Sequence, residues 1–592
     1  MNGEPMTTAE AKLARPWLPF ALIILAAALA HLWCLGSQFY MDDFPQIVDK
    51  DVVLSGHFQV WNHTVWTTLW YIIQNKLFGM SPVAFHAFNW LLHTAVACVL
   101  FGFGRDFLKG RWPEGVALFG ALLFAVHPLA SEIPNYARTQ DLAWVTLFSL
   151  LAAWAMLRYL QEGGWGSVQG TDGQIPVVQR SNRWWKLVFC VLATVGATFS
   201  KGPGMFHAVI DTAVVAGATL AQGHASGLRK IGKREVGIGV VIFAAVVAVA
   251  WATGMLNGWL GSFHLWKEPR FIGHAYTLSR VFWEFGWRSV IPVSLSSDHL
   301  IAETLIPPGA HFWNIPDKGA MVAMASFLGL AAFSVFLIWR KPTRLFGVCL
   351  FLFIEAILLR FLYLIPEFMP EYRIYPGMPW FCLGAAILLV TVWRYLFETM
   401  SPRIPAVILL GIFALLSARR SFLWHDLYTL TANVLERYPA RARALWELND
   451  RDVAAENWQP IIDRQKTMWP EIERHFIEQN KILAPAREIP SGDFVLAMVA
   501  IQGRYARAVA HNTKTPAAGM QVMAMLEAHM KQMQMTPENK PLEWGYFYHD
   551  KALILEQAGN NEAAAELLRK KEVPSFWPYD LERIEKKLKP GS

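Results

Sequence analysis

The sequence predicts an all-α protein in two parts: a polytopic transmembrane helix bundle of about eleven spans over residues 1–417, then a soluble helical array over 418–592. Three observations carry this. The 592 residues are 54% hydrophobic against 17% charged, with a mean hydropathy of +0.28. Several apolar runs approach the roughly 20 residues that cross about 30 Å of hydrocarbon. Beyond Ala418 the composition shifts to charged, amphipathic helical spacing in which Ala, Leu and Trp recur.

Taken in order, the expected spans are 17–36, 83–104, 114–131, 142–160, 185–199, 203–221, 235–256, 319–339, 345–365, 376–397 and 404–417. The first run lacks the short apolar core and small-residue cleavage site of a signal peptide, so a retained first helix is expected. The stretch 281–293 has helix length but carries Glu284 and Arg288. An intramembrane charge costs about 2.5–3.5 kcal/mol on insertion scales, so this stretch is expected to lie at the interface or re-enter. The five cysteines, Cys34, Cys98, Cys190, Cys349 and Cys382, fall inside apolar runs without metal-ligand spacing and are expected to be small core residues. The glycine-rich connection 161–184 is expected to be a flexible linker, because no Lys-Ser or Lys-Thr completes a phosphate-cradling loop.

Charge sets the orientation. Lys12 and Arg15, then Arg105, Lys109 and Arg111, then Arg158, Arg180, Arg183 and Lys186, then Arg229, Lys230, Lys233 and Arg234, then Arg340, Lys341 and Arg344, then Arg394 and Arg403 occupy one alternating set of connections. Basic short loops face the cytoplasm, so the net charge of +7 belongs to this pattern and not to nucleic-acid binding. With an odd number of crossings the N-terminus is cytoplasmic and the C-terminal array extracytoplasmic, in a bacterial inner membrane facing the periplasm in preference to the lumen of the endoplasmic reticulum.

The opposite connections gather the polar chemistry. Asp42 and Asp43 follow the first span directly, and Trp61, His63, Trp66 and Trp70 then form an aromatic segment expected to lie on the membrane surface. Next come His127-Pro128 with Glu132, Arg138 and Asp141, then Ser200-Lys201-Gly202, then Asp298-His299, then Glu371-Tyr372-Arg373-Ile374-Tyr375-Pro376. Taken alone, an Asp pair fits a helix cap or a solvated loop as well as a catalytic base. Glu132 and Asp141 sit six and three residues from Arg138 and fit structural partners of it. His127 before Pro128 fits a helix terminator. His86 and His93 share a helical face and fit packed polar residues. Glu371 and Arg373, if extended, share a face and fit a mutual ion pair.

The order Asp42-Asp43, then Phe85-His86-Ala87-Phe88-Asn89-Trp90-Leu91-Leu92-His93, then His127-Pro128 with Glu132, Arg138 and Asp141, resembles the membrane half of the transmembrane-and-tetratricopeptide-repeat O-mannosyltransferases and their bacterial relatives. Ser200-Lys201, Leu295-Ser296-Ser297-Asp298-His299, Glu371-Tyr372-Arg373-Ile374-Tyr375-Pro376 and Arg419-Arg420-Ser421-Phe422-Leu423-Trp424 look like the later motifs of that family in the same order. The likeness covers roughly 40–450. It departs at Gly202, where the family carries an acidic residue, and around Val65-Trp66, where the family carries Arg-Pro; both departures bear on sugar and lipid identity.

The resemblance implies a GT-C fold and an enzyme that moves a sugar from a polyprenyl-phosphate-linked donor to an acceptor hydroxyl on the extracytoplasmic side, with protein Ser or Thr as the expected acceptor. Under it, Asp42 or Asp43 is the catalytic base. Arg138, Lys201 and Arg373 hold the donor phosphate, and His127, Glu132, Asp141, Asp298, His299, Glu371 and Tyr375 support the site. A leaving phosphate needs cations and not a proton donor, and a single base fits inversion at the anomeric carbon. No cofactor is expected with certainty. Asp298 and His299 with Asp42 leave a divalent cation open, but no ligand set is strong enough to predict one. In the C-terminal region, Gly503-Arg504-Tyr505-Ala506-Arg507-Ala508 and Ala558-Gly559-Asn560-Asn561-Glu562-Ala563-Ala564 resemble the turn and second helix of tetratricopeptide repeats, and such an array is suited to hold an acceptor protein or glycan. Two other readings stay open: a lipid-linked polysaccharide ligase or polymerase, and a non-enzymatic transporter or assembly scaffold.

Overall fold

The chain is described by a computed structural model in which residues 16–56, 64–161, 184–223, 248, 251, 269–299, 301, 304, 317–362, 369–483, 492–570, 572–573 and 578–588 are placed. Among these residues every regular element is helical.

The first part contains α1 (Leu18–His31), α2 (Asp51–Ser55), α3 (Val65–Phe78), α4 (Pro82–Leu108), α5 (Glu114–Ala125), α6 (Glu132–Asn135), α7 (Gln140–Gln161), α8 (Trp184–Ser200), α9 (Gly204–Gly223), α10 (Pro269–Val290), α11 (Lys318–Trp339), α12 (Arg344–Leu358), α13 (Met378–Leu396) and α14 (Arg403–Leu423). Short 3-10 segments extend several of them, at Leu32–Gly36 after α1, Ala137–Thr139 before α7 and Glu371–Gly377 before α13. Local chemistry explains the starts: Pro19, Pro82 and Pro379 occupy first-turn positions whose N–H groups have no helical partner, and Asp317 accepts the Ala320 N–H at 3.0 Å to cap α11.

Seven helical stretches among the described residues are long and apolar enough to cross a membrane: Leu18–Gly36, Pro82–Leu108, Ala137–Gln161, Gly204–Gln222, Lys318–Trp339, Glu371–Leu396 and Arg403–Leu423. These stretches mark the chain as a membrane protein; among the described residues there are seven, or eight if the bent pair Glu114–Ala125 and Pro128–Asn135 is one span, against the eleven expected from sequence. The expected span 114–131 is broken: Glu114–Ala125 and Pro128–Asn135 meet at 53°. The break falls at His127, because a residue before proline is driven out of the α region and Pro128 has no N–H to continue the ladder. The expected span 185–199 is the 17-residue α8, and 345–365 is the 15-residue α12 followed by a 3-10 turn. The expected span 235–256, apart from residues 248 and 251, and nearly all of the 161–184 linker lie outside the described residues. The interfacial stretch expected over 281–293 is the end of α10, where Arg288 pairs with Glu284 one turn earlier, and this helix is not among the seven.

One apolar core runs through this bundle, with Phe101, Phe124, Phe282, Phe327 and Trp380 fully buried. All five cysteines are free thiols within it or at its margins. The α3 part of the aromatic segment expected on the membrane surface packs its indole rings against α7. Trp70 stacks on Trp144 at 5.6 Å, and Trp66 meets Trp144 and Phe148 edge-on at 5.6 and 5.7 Å. Trp66 and Trp70 are one turn apart on one helical face, and aromatic partners on α7 cover that face. Trp61 and His63 lie outside the described residues. His86 and His93 are packed polar residues, as expected: His86 meets the Pro134 carbonyl at 3.0 Å and His93 the Tyr375 hydroxyl at 2.9 Å.

From Leu427 the helices are amphipathic and pack as an array: α15 (Leu427–Arg437), α16 (Ala442–Ala454), α17 (Trp458–Thr467), α18 (Trp469–Leu483), α19 (Gly492–Thr513), α20 (Pro516–Gln532), α21 (Pro541–Gln557), α22 (Asn561–Leu568) and α23 (Pro578–Leu588). Asp426 caps α15 by accepting the Tyr428 and Thr429 N–H groups at 3.1 and 3.0 Å. Most neighbours in the chain pack against each other, and α19 also meets α16, α17 and α21. The segment beginning at Gly503 is not a turn, as its resemblance implied, but the middle of α19. There a Cβ on Gly503 would stand 2.1 Å from Asp550 Oδ2, so glycine is what lets α19 and α21 approach. Ala558-Gly559-Asn560 is a turn, with Gly559 at φ +79° and Asn560 capping α22.

Candidate active site

The first connection after α1 is shaped by its own backbone. Tyr40 is buried, edge-on to Trp424 at 5.5 Å and to Tyr136 at 6.3 Å, and its hydroxyl meets Thr431 Oγ1 at 3.3 Å. Met41 then adopts φ +44°, a left-handed conformation that costs a non-glycine residue about 1–2 kcal/mol. Left-handed strain of this kind is held by surrounding contacts, here those of Asp43. Asp43 is fully buried; its Oδ2 accepts the Tyr40 N–H at 2.9 Å and its Oδ1 accepts the Arg138 N–H at 2.7 Å. Burial pushes its carboxyl up to about 8, against the two backbone donors, which pull it down.

Asp42 points the other way. Its N–H donates to the Tyr136 hydroxyl at 3.1 Å, and its side chain is 28% exposed. Oδ2 lies 3.2 Å from Arg138 Nη1, and Oδ1 lies 3.1 Å from Arg443 Nη2. Two guanidiniums from distant parts of the chain therefore hold one carboxylate at the site face. Each oxygen retains a lone pair beyond the one its arginine uses.

The cations predicted to hold a phosphate gather around one tyrosine. Arg138 Nη1 donates to the Tyr372 hydroxyl at 3.1 Å, while Lys201 and Arg373 each lie 5.9 Å from the Tyr372 ring centre. Cations over an aromatic face are attracted by its quadrupole. The Tyr372 backbone N–H donates to Glu132 Oε2 at 2.6 Å, and the Arg373 carbonyl accepts from Arg360. Lys201 Nζ is 2.7 Å from Asp141 Oδ2. Burial lowers the Lys201 ammonium to about 8; Asp141 holds it up while Arg138 and Arg373 push it further down. The shared partners expected for Arg138 are thus corrected: Asp141 pairs with Lys201 and Glu132 with a backbone N–H, leaving Arg138 to Asp42.

Glu371 and Arg373 do not pair with each other, because the segment is a 3-10 helix and not extended. Glu371 turns inward, where it is fully buried: Oε1 meets His299 Nε2 at 2.7 Å and accepts the Ser296 N–H at 2.8 Å, and Oε2 lies 2.5 Å from Arg420 Nη2. His299 Nδ1 meets the Tyr438 hydroxyl at 2.8 Å, and Asp298 holds Arg441 through two contacts of 2.6 Å. Neither Asp298 nor His299 joins Asp42 in a ligand set, and among the described residues no group of three or more His, Cys, Asp or Glu is arranged to hold a metal ion. His127 and Tyr375 are not brought to the Asp42 cluster. His127 accepts the Leu129 N–H at 3.2 Å and donates to the Ser289 carbonyl at 2.9 Å, the helix-ending role its position before proline allows; Tyr375 pairs with His93.

Sequence reasoning missed Arg443, Arg441 and Tyr438, which reach the site face from the start of the helical array, and it did not single out Tyr372 within its motif. The signal was the pair Arg441 and Arg443 two residues apart at the head of α16, facing an acidic connection.

No family model matches the chain. Over 150 residues it is 26% identical to a protein O-mannosyl-transferase of Caenorhabditis elegans, a stretch that covers 22% of this chain and 22% of that protein. The chain therefore matches about a fifth of the length of this curated relative. This likeness and the long apolar helices fit a membrane glycosyltransferase.

Proposed function

We propose that the chain is a GT-C glycosyltransferase that moves a sugar from a polyprenyl-phosphate-linked donor to an acceptor hydroxyl, with protein Ser or Thr as the acceptor. The observation that carries this reading is the part-buried Asp42 carboxylate beside Arg138, with Lys201 and Arg373 gathered around the same Tyr372 ring. Asp42 accepts the acceptor's proton as its oxygen forms a bond to the anomeric carbon. The bond from that carbon to the phosphate oxygen breaks, and the phosphate leaves with the electron pair. A positioned base contributes on the order of 10²–10⁴ in rate, and fixed cations at the departing phosphate act where its charge develops. Asp43 organises this loop and does not meet the acceptor.

The side of the membrane follows the same reading. Asp42 comes after the first span and Arg443 after the last, and a 3.1 Å contact between them supports a reading with both on one membrane face. That supports an odd number of crossings and, with basic connections in the cytoplasm, an extracytoplasmic site. The array from Leu427 stands beside the site, where it is suited to hold an acceptor polypeptide.

The test is transfer by the purified protein in detergent or liposomes, with a labelled polyprenyl-phosphate sugar and a Ser/Thr peptide. Asp42→Asn is expected to lose at least about a hundredfold in kcat while keeping its fold; wild-type turnover in that variant would remove Asp42 as the base.

A further inference from the structure

We infer that the helical array completes the active site by supplying Arg443 as a positioning residue for Asp42; this deepens the proposed transfer reaction and rests on it. The Asp42 carboxylate is bridged, Oδ2 to Arg138 at 3.2 Å and Oδ1 to Arg443 at 3.1 Å. Arg138 comes from the foot of a membrane span, but Arg443 comes from α16, 401 residues beyond Asp42 in the chain. One arginine fixes where the carboxylate sits. The second stops it rotating about its own Cβ–Cγ bond, and so sets which lone pairs face the acceptor.

The contact is built into the docking of the two parts. Tyr438, Arg441 and Arg443 lie within six residues that join α15 to α16, and each reaches a different acidic or histidine side chain of the membrane part. Tyr438 meets His299 at 2.8 Å, Arg441 grips Asp298 through two contacts of 2.6 Å, and Arg443 reaches Asp42. A turn from Arg441 N–H to the Tyr438 carbonyl at 2.9 Å fixes the spacing. His299 in turn meets Glu371, which also pairs with Arg420 at the end of the last span, so the grip on the array continues into the segment that carries Tyr372 and Arg373. Glu447, one turn beyond Arg443 on the same helix, faces the same guanidinium and adds no second cation. The arginine pair at the site face is therefore split between the two parts of the chain, and transfer requires them docked.

The experiment uses the full chain with Arg443→Met and Arg443→Lys. Arg443→Met is expected to lower kcat about 10- to 100-fold, the scale of a reacting group misplaced by about an ångström. KM for the polyprenyl-phosphate sugar should stay within about twofold of wild type, because Arg443 touches the base and not the phosphate cations. Arg443→Lys, which restores a charge at the same reach, is expected to recover part of the kcat. Thermal unfolding of Asp42→Ala, Arg443→Ala and the double variant reads the contact without any turnover, and the two single shifts are expected not to add. Additive shifts overturn the contact, and wild-type kcat in Arg443→Met overturns the positioning role. A wild-type chain that transfers no sugar, but whose shifts are non-additive, overturns the transfer reaction while leaving the docking contact standing.

Discussion

Replacing each aspartate of the pair separates two jobs that adjacent carboxylates share. Asp43→Ala removes both acceptor oxygens and leaves the Tyr40 and Arg138 N–H groups without partners where the native side chain is fully buried. Each unsatisfied buried donor costs about 1–3 kcal/mol, so the variant is expected to lose about 2–6 kcal/mol. Asp43→Asn keeps one acceptor oxygen and turns an amide N–H toward the other donor, and should fall between it and wild type. Asp42→Asn is different in kind. Its ion pairs join part-buried side chains that are 28%, 25% and 19% exposed, and the isosteric amide keeps one oxygen as an acceptor for an arginine, so Asp42→Asn is expected to lose less stability than Asp43→Ala, about 1 kcal/mol. Turnover, however, goes with the charge. The assay is thermal unfolding followed by tryptophan fluorescence in detergent, run beside transfer from a labelled lipid-linked sugar. Asp43→Ala should melt well below wild type, and Asp42→Asn should melt near it without activity. An Asp43→Ala protein that melts with wild type, or an Asp42→Asn protein that turns over normally, refutes this division of roles.

Other expectations follow from single contacts. Tyr372→Phe removes the hydroxyl that accepts from Arg138 at 3.1 Å and keeps the ring between the cations, so KM for the donor should rise severalfold with a small change in melting; an unchanged KM in a donor titration removes Tyr372 from the phosphate site. Lys201 is lowered to about 8 and is charged below that pH; donor affinity should therefore weaken as pH rises through about 8, and Lys201→Arg should abolish that dependence in a pH series of KM. Gly503→Ala places a Cβ 2.1 Å from Asp550 Oδ2, an overpacking expected to cost about 1–3 kcal/mol, read as a lower melting temperature of the array; equal melting contradicts the close approach. Burial raises the Glu447 carboxyl from its usual 4.5 to about 7. The folded state thus binds a proton that the unfolded state releases, and stability should decline as pH rises from about 4.5 to about 7, a slope that Glu447→Gln should flatten in unfolding measured across that window.

Much of the membrane part was legible because crossing helices depend on local properties. The stretches 17–36, 83–104, 142–160, 203–221, 319–339, 376–397 and 404–417 match helices of spanning length within a few residues, since about 20 apolar residues in a row are enough to specify one. The same window failed at 114–131, where it averaged over the single proline that breaks the helix, and at 345–365, where the α-helix ends at Leu358; the run 185–199 is covered whole by the 17-residue helix Trp184–Ser200. The site residues were legible as residue types on one set of connections, but their partners were not. Arg138 was expected to meet Glu132 or Asp141, near in sequence, and instead meets Asp42 and Tyr372, which lie far along the chain. Arg443 carried only its spacing of two from Arg441 at the head of α16, and nothing local to it said which carboxylate it meets.

By itself, the sequence determined that the chain crosses a membrane, that helices continue beyond the last span, and that two carboxylates follow the first span with cations on later connections. Only the tertiary structure decided which carboxylate faces outward. Neighbouring side chains at Asp42 and Asp43 have identical chemistry, and their fates separate because the Arg138 backbone, 95 residues away, supplies the donor that draws Asp43 inward, while Arg138 and Arg443 side chains hold Asp42 at the surface. Runs of apolar residues act over one turn and can be read in order; an ion pair across the fold exists only once the helices are packed.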